Sequence, residues 1–109
     1  MQHRRLRQHS RWFQALLGNS TGTGSTAYGF RALLSSTGDF NTAIGHRALA
    51  NKTTGTGNIA VGWNAGSNLH TGGGNIYIGN PGFAPAESDT INIGNSQTRT
   101  FIAGISNVD

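Results

Sequence analysis

The sequence predicts an all-β fold, a solenoid in which every coil of 15–17 residues contributes a parallel strand. A four-residue phrase occurs five times. It consists of a small or β-branched residue, a short residue, a large apolar residue and glycine. Its glycines are Gly29, Gly45, Gly62, Gly79 and Gly94, which lie 16, 17, 17 and 15 residues apart. This period is too short for a helical solenoid. Glycine accounts for 17 of 109 residues, more than twice the usual share of about 7%, and this frequency disfavours helix.

Residues 1–11 differ in composition from the remainder and are predicted to form a basic leader outside the repeat. They contain Arg4, Arg5, Arg7 and Arg11 but no glycine, and the repeat register resumes at Phe13. Two interpretations stay open. One is a basic amphipathic anchor or targeting arm. The other, which we favour because the match to the repeat begins in the middle of the phrase, is a disordered leader or a misassigned start.

The remaining charges disfavour several classes of partner. The net charge of +4 comes from the leader, since the four basic and four acidic residues beyond it cancel. A surface that follows a phosphate backbone needs several cations on one face, so we expect no nucleic-acid binding.

There is no cysteine for a disulfide or a thiolate metal site. No apolar run approaches the 18 or so residues of a membrane span, and no signal peptide or anchor is recognisable, so we expect no membrane insertion by this chain.

The three residues before each phrase glycine are predicted to be short strands. Their alternation places one set of side chains on one face, namely Thr26 and Tyr28, Thr42 and Ile44, Ile59 and Val61, Ile76 and Ile78, and Ile91 and Ile93. The middle residues lie on the other face, and they are Ala27, Ala43, Ala60, Tyr77 and Asn92. Stacked coils would align both sets into columns.

A second segment follows each of the first three phrase glycines. Its recurring alanines, Ala32, Ala48 and Ala65, suit a narrow interior that a larger side chain would force apart. The intervening stretches 18–24, 35–39, 51–57 and 71–74 are rich in Gly, Asn, Ser, Thr and Asp, which favour turns. One apolar column can fill the interior of such a roll, whereas the other needs a second and a third chain, or a flanking domain, to cover it.

Two stretches resemble known families. The phrases NTAIGHRAL (41–49) and NIAVGWNAG (58–66) resemble the repeats of YadA-like head domains of trimeric autotransporter adhesins. This resemblance implies that residues 12–80 form a left-handed parallel β-roll and that three rolls pack side by side as a homotrimer on a cell surface. The repeat is longer than the usual adhesin repeat of that family.

Residues 75–80, 87–94 and 97–105 resemble the stretch that often precedes an endosialidase-type intramolecular chaperone domain in phage tail fibres and bacterial surface proteins. This second resemblance implies that residues 81–109 are a loop plus terminal β coils before a missing downstream domain. It also makes a virion fibre an alternative location to the cell surface.

The search for chemistry predicts no catalytic, cofactor-binding or metal site. Lys52 follows asparagine rather than the glycine of a phosphate loop, and Ala60 replaces the third glycine of a dinucleotide fingerprint. The four histidines lack metal-ligand spacing, and His46 occupies the slot of Phe30 and Trp63. Glu87 and Asp89 are the one close carboxylate pair, and a solvated turn is the ordinary explanation of such a pair. Five aromatic residues are expected to be exposed and could stack on sugar rings or bind protein ligands; they are Trp12, Phe30, Trp63, Tyr77 and Phe83.

The equivalent repeat positions of Phe30 and Trp63 favour packing, so the sequence identifies no ligand. We expect a non-enzymatic structural and adhesive module of a trimeric surface adhesin or phage-type fibre. It would bind a host-surface protein or glycan through threefold multivalency. Two alternatives stay open. One is a fragment of a carbohydrate-active tail fibre with a site between chains, and the other is a truncated reading frame without independent function.

Overall fold

A computed structural model describes residues 14–18, 21–51 and 53–106 and the backbone of residues 9–11. Its described residues form one six-stranded sheet, in which the strands are β1 (His9–Arg11), β2 (Thr26–Tyr28), β3 (Thr42–Ile44), β4 (Ile59–Val61), β5 (Ile76–Ile78) and β6 (Ile91–Ile93). The strands are parallel and neighbour one another in chain order. Each coil therefore adds one strand, and the predicted parallel β-solenoid is confirmed.

The bounds of β2 to β6 coincide with the predicted strands, and equivalent residues pair without a register shift. Ala27, for example, pairs with Ala43, which pairs with Ala60. Strand β1 occupies the last three residues of the predicted leader, and its His9 pairs with Thr26. Disorder was predicted for residues 1–11, but residues 9–11 form β1, and residues 1–8 lie outside the described residues.

The interior is narrow and lined by small side chains, as the alternation predicted. The middle residues of β2, β3 and β4 are alanines that are fully or almost fully buried. Opposite them lie the predicted alanines of the second segment together with a column of leucines; this side of the core consists of Leu16, Ala32, Leu33, Ala48, Leu49, Ala65 and Leu69. Because neighbouring coils touch directly, each coil is stabilised mainly by the coil above and the coil below.

The glycine that ends each strand turns the chain between the two segments. Gly45 has a φ of +130°, and a Cβ atom added to it would lie 2.7 Å from the carbonyl carbon of Gly62 in the next coil. The backbone N–H of Gly62 donates to the carbonyl of Ile44 at 2.7 Å, so the corners are tied together as closely as the strands. Only glycine combines this φ with so close an approach.

A buried ladder of asparagines, which was not predicted from the sequence, precedes the strands. Asn41, Asn58 and Asn75 each stand directly before a strand and are fully buried. The Asn58 Oδ1 atom accepts from the backbone N–H of Asn75 at 3.0 Å and from its Nδ2 at 3.1 Å, and Asn41 Oδ1 serves Asn58 in the same way at 2.8 and 3.2 Å. The ladder begins at Ser25, whose Oγ accepts from the Asn41 N–H. It thus supplies hydrogen-bond partners for polar groups that are buried inside the roll.

The last coil is built differently from the others. The loop before β6 is held by Glu87, whose Oε1 accepts from the N–H groups of Phe83 and Ala84 while its Oε2 accepts from Asn92 Nδ2 at 2.8 Å. Residues 95–106 form no strand, and Phe101 among them is 82% exposed. The extent of terminal β coils beyond β6, and of any downstream domain, stays a prediction.

Candidate functional site

Two exposed features of the roll are candidates for binding. The first, here called the sheet face, is the outward surface of β2 to β6. It consists of the first and third residues of each strand, namely Thr26, Tyr28, Thr42, Ile44, Ile59, Val61, Ile76, Ile78, Ile91 and Ile93. None of these residues is charged, and several of the large apolar ones are 40–66% exposed.

The register of the sheet turns this face into two continuous columns. Tyr28 is followed by Ile44, Val61, Ile78 and Ile93, each directly paired with the next. Neighbouring strands are about 4.8 Å apart, so the apolar strip extends over roughly 19 Å across five strands. This continuous uncharged apolar strip makes the sheet face a candidate for contact with another macromolecule.

The second feature, here called the corner column, lies just after the corner glycines. Its aromatic members are Phe30, His46 and Trp63, which hold the same position in three successive coils. The ring centroids of Phe30 and His46 are 5.2 Å apart, with an interplanar angle of 52°. Trp63 is 70% exposed, so most of its ring faces solvent.

Polar side chains form a second row of the corner column, one residue further along the chain. They are Gln14, Arg31, Arg47 and Asn64, and all four have a positive φ between 56° and 62°. The Arg31 Nε atom donates to Gln14 Oε1 at 2.5 Å, and its guanidinium lies 5.2 Å from the centroid of the Phe30 ring. Neither Arg31 nor Arg47 forms an ion pair with an acidic side chain of the described residues.

Backbone turns hold both rows of the corner column in place. The N–H of Ala32 donates to the carbonyl of Gly29 at 3.1 Å, and equivalent bonds recur in the next two coils. With a positive φ at the third residue, this arrangement is that of a type II turn. The N–H of Arg47 also donates to the carbonyl of Phe30 at 2.8 Å, so successive corners stay in register.

The predicted aromatic set does not converge on one place. Tyr77 was expected among the exposed aromatics, and this is wrong, because its side chain is fully buried where earlier coils have alanine. Phe83 is 78% exposed on the loop after β5, remote in sequence from the corner column. Trp12 lies outside the described residues.

The Glu87 carboxylate is held by hydrogen bonds within its loop, whereas a carboxylate in a solvated turn would be hydrated. Partial burial opposes its ionisation, but the hydrogen bonds from Ala84, Phe83 and Asn92 outweigh this effect and lower the pKa of Glu87. Burial, followed by the nearby Glu87 carboxylate, raises the pKa of Tyr77 above its usual range. The Tyr77 hydroxyl has no partner at good hydrogen-bond geometry among the described residues, so we attribute the influence of Glu87 to its charge.

The histidines and acidic residues do not come together. Within residues 9–11, 14–18, 21–51 and 53–106, no group of three or more His, Asp or Glu side chains could hold a metal ion. Asp39 is used locally, since its Oδ1 accepts from the N–H of Thr23 at 2.9 Å. The described part of the chain also contains no helix that is long and apolar enough to cross a bilayer.

Comparisons with known proteins add no closer assignment. No protein-family model matches the sequence, and neither curated proteins nor solved structures gave a match. The fold and the exposed surfaces define a repeat protein of the parallel β-solenoid class, with coils of 15–17 residues. The sheet face and the corner column are its two candidate binding surfaces.

Proposed function

We propose that this chain is a non-enzymatic structural and adhesive module in which three left-handed rolls pack side by side through their sheet faces. The observation that carries the proposal is the exposed, uncharged apolar strip along β2 to β6. A single roll leaves this strip in water. Packing it against other rolls would remove apolar area at a gain of about 25 cal/mol per Å².

A second copy of the same chain is a suitable partner for the sheet face. Its strip has the same spacing between coils, so isoleucines of one roll can interdigitate with those of another along the whole length. Rolls that continue into equivalent flanking segments must also point in the same direction, which a cyclic arrangement about an axis parallel to the rolls and between them provides. The number three and the left-handed coil follow from the resemblance to YadA-like head domains.

The adhesive part of the proposal rests on repetition. Turns and corners recur on every coil, and a trimer presents each of them three times, so weak contacts with a host-surface protein or glycan would add up. The cell surface or a virion fibre is the proposed location, in keeping with the two resemblances.

The mass of the full chain in solution tests the assembly. We expect light scattering to give three times the chain mass of 11.4 kDa. Replacing Ile44 and Ile78, each 42% exposed in the middle of the strip, by lysine should yield a monomer, because three pairs of charges would be buried without partners. Circular dichroism should show that the variant keeps its β structure.

The matched control is Phe83→Lys, a change at a residue that is 78% exposed but lies outside the sheet face. This variant should remain trimeric. A wild-type chain that is a folded monomer, or a trimer that tolerates both lysines in the strip, would contradict the proposal.

A further inference from the structure

The corner column has more exposed aromatic surface than the roll needs for its own stability. The core is complete without it, since alanines and leucines fill the interior. Trp63 leaves 70% of its surface in water and Phe30 leaves 37%, although a short polar residue would satisfy the same turn. Their recurrence therefore needs a reason beyond packing.

The arginines beside the rings point in the same direction. Arg31 and Arg47 adopt φ values of 59° and 62°, a region that glycine or asparagine enters at lower cost and that Asn64 occupies in the next coil. Backbone geometry thus disfavours arginine at two successive corners. Core leucines of the same turns share this region, with φ values of 50° at Leu33 and 49° at Leu49, so the turn itself sets the backbone geometry. What distinguishes these two corners is that each carries a positive charge where asparagine would suit the turn better.

The two rows together form a repeated pair of chemical functions. Each of two successive corners offers an aromatic ring and, next to it, a guanidinium group that no described acidic residue neutralises; they are Phe30 with Arg31 and His46 with Arg47. A third corner offers Trp63 with the amide of Asn64. The separation of about 4.8 Å between coils is close to the length of one pyranose unit in an extended glycan.

We propose that the corner column binds an acidic oligosaccharide, a chain of carboxylated pyranoses lying along the roll axis with about one sugar per coil. The apolar face of one sugar stacks on the ring of Trp63, which is 70% exposed, and the neighbouring sugars contact the exposed parts of His46 and Phe30. Carboxylates accept hydrogen bonds from Arg31 and Arg47, whose planar guanidinium groups fit a carboxylate with two parallel bonds. This inference deepens the proposed adhesive function by naming a ligand class and a site.

A carboxylated glycan fits the charge of this surface better than a nucleic acid does. Two cations on one edge suffice for a few carboxylates, whereas a strand with a phosphate at every nucleotide requires a longer basic array. The aromatic rings alone would accept bases as readily as sugars. A single-stranded oligonucleotide is therefore the competing ligand that the experiment has to include.

The test is isothermal titration calorimetry of the full chain with hexagalacturonate, an α-1,4-linked hexamer with one carboxylate per sugar. Maltohexaose serves as the uncharged hexamer, and a hexamer of thymidylate serves as the nucleic-acid probe. We expect hexagalacturonate to bind at least tenfold more tightly than either probe, and its affinity to fall as salt is added.

Two variants locate the site, and two matched controls test its specificity. Trp63→Ala and Arg47→Gln should each weaken hexagalacturonate binding by about tenfold, and Arg47→Gln should also reduce the salt dependence. Phe83→Ala removes an equally exposed ring and Arg99→Gln removes a cation outside the column. Both controls should bind like the wild type, with unchanged circular dichroism in all four variants.

The outcomes separate this inference from the proposed assembly, because every residue of the column lies on one chain and binding is measurable in a monomer. A trimer that fails to bind hexagalacturonate overturns the inference and leaves the trimeric module standing. Binding by a folded monomer supports the inference and overturns the trimer. Equal or tighter binding of thymidylate or maltohexaose, or affinity that both Trp63→Ala and Arg47→Gln leave unchanged, also overturns it.

Discussion

The asparagine ladder makes Asn58 the most sensitive polar residue of the roll. Its Nδ2 donates to Gly72 O at 3.0 Å and to Asn41 Oδ1 at 3.2 Å, while its Oδ1 accepts twice from Asn75. The Asn58→Ala substitution would leave the Asn75 N–H and the Gly72 carbonyl without these partners. Each buried group deprived of its hydrogen bond costs about 1–3 kcal/mol, so we expect a loss of about 4 kcal/mol.

A serine at the same position should be less damaging, and the chain itself shows why. Ser25 begins the ladder, and its Oγ accepts from the N–H of the next ladder residue, Asn41, at 3.1 Å. Asn58→Ser would keep this type of contact with the Asn75 N–H but would lose the donor to Gly72 O. We therefore expect it to cost about half as much as Asn58→Ala.

Denaturant unfolding followed by circular dichroism measures these losses, at one fixed protein concentration because assembly would shift the midpoint. The matched control is Asn68→Ala, at an exposed asparagine whose side chain makes one hydrogen bond, from its Nδ2 to Gly82 O at 2.9 Å. It should cost about 1 kcal/mol or less. If Asn58→Ala destabilises the protein no more than Asn68→Ala does, the ladder does not hold the coils together as argued.

Two further predictions concern the corners and the last coil. Gly45→Ala should lower the free energy of unfolding by about 3 kcal/mol or more, because this position combines a φ of +130° with a 2.7 Å approach of the added Cβ to Gly62. Gly57 has a φ of +73° and open space around it, so Gly57→Ala should cost about 1 kcal/mol. Thermal unfolding compares the two, and equal losses would contradict the close approach of the corners. The pKa of Glu87 is lower in the folded protein than its usual value, so the stability that this carboxylate contributes is present above the unfolded pKa and is lost as the pH falls through the folded pKa. In the Glu87→Gln variant, the free energy of unfolding should therefore fall less steeply below about pH 4.5 than in the wild type. Denaturant unfolding at a series of pH values measures this, and an unchanged dependence on pH would refute the role of Glu87.

Much of the fold could be predicted because it depends on local, periodic properties. The bounds of β2 to β6 follow from the return of a short apolar phrase before glycine, and the buried column of Ala27, Ala43 and Ala60 follows from the alternation of side chains in a strand. The same alternation predicted an outward apolar face that requires another surface to pack against it. These features require only that each coil repeats its neighbour.

The residues that were misjudged depend on the path of the chain between strands. Tyr77 occupies the position of the alanine column, and strand alternation therefore predicted that it points inward. It was nevertheless also counted among the exposed aromatic residues, which was wrong. Room for it exists because Gly82, in the loop after β5, lies against its ring: a Cβ atom there would be 3.1 Å from the ring. Glu87 was expected to be a solvated loop acid because nothing in its sequence neighbourhood predicts the converging donors of Phe83, Ala84 and Asn92.

The sequence by itself determined the all-β class, the coil length and the inward and outward columns, since a strict period leaves few other arrangements. It also contained a signal for the asparagine ladder, an Asn before three successive strands, but whether those amides face solvent or one another depends on the corner geometry. Only the tertiary structure decided that they hydrogen-bond from coil to coil, and that aromatic rings and arginines form adjacent rows at the corner. The physical reason is that alternation within a strand determines on its own which side chains point inward. The side chains of a turn take their directions only when neighbouring coils have stacked on that turn.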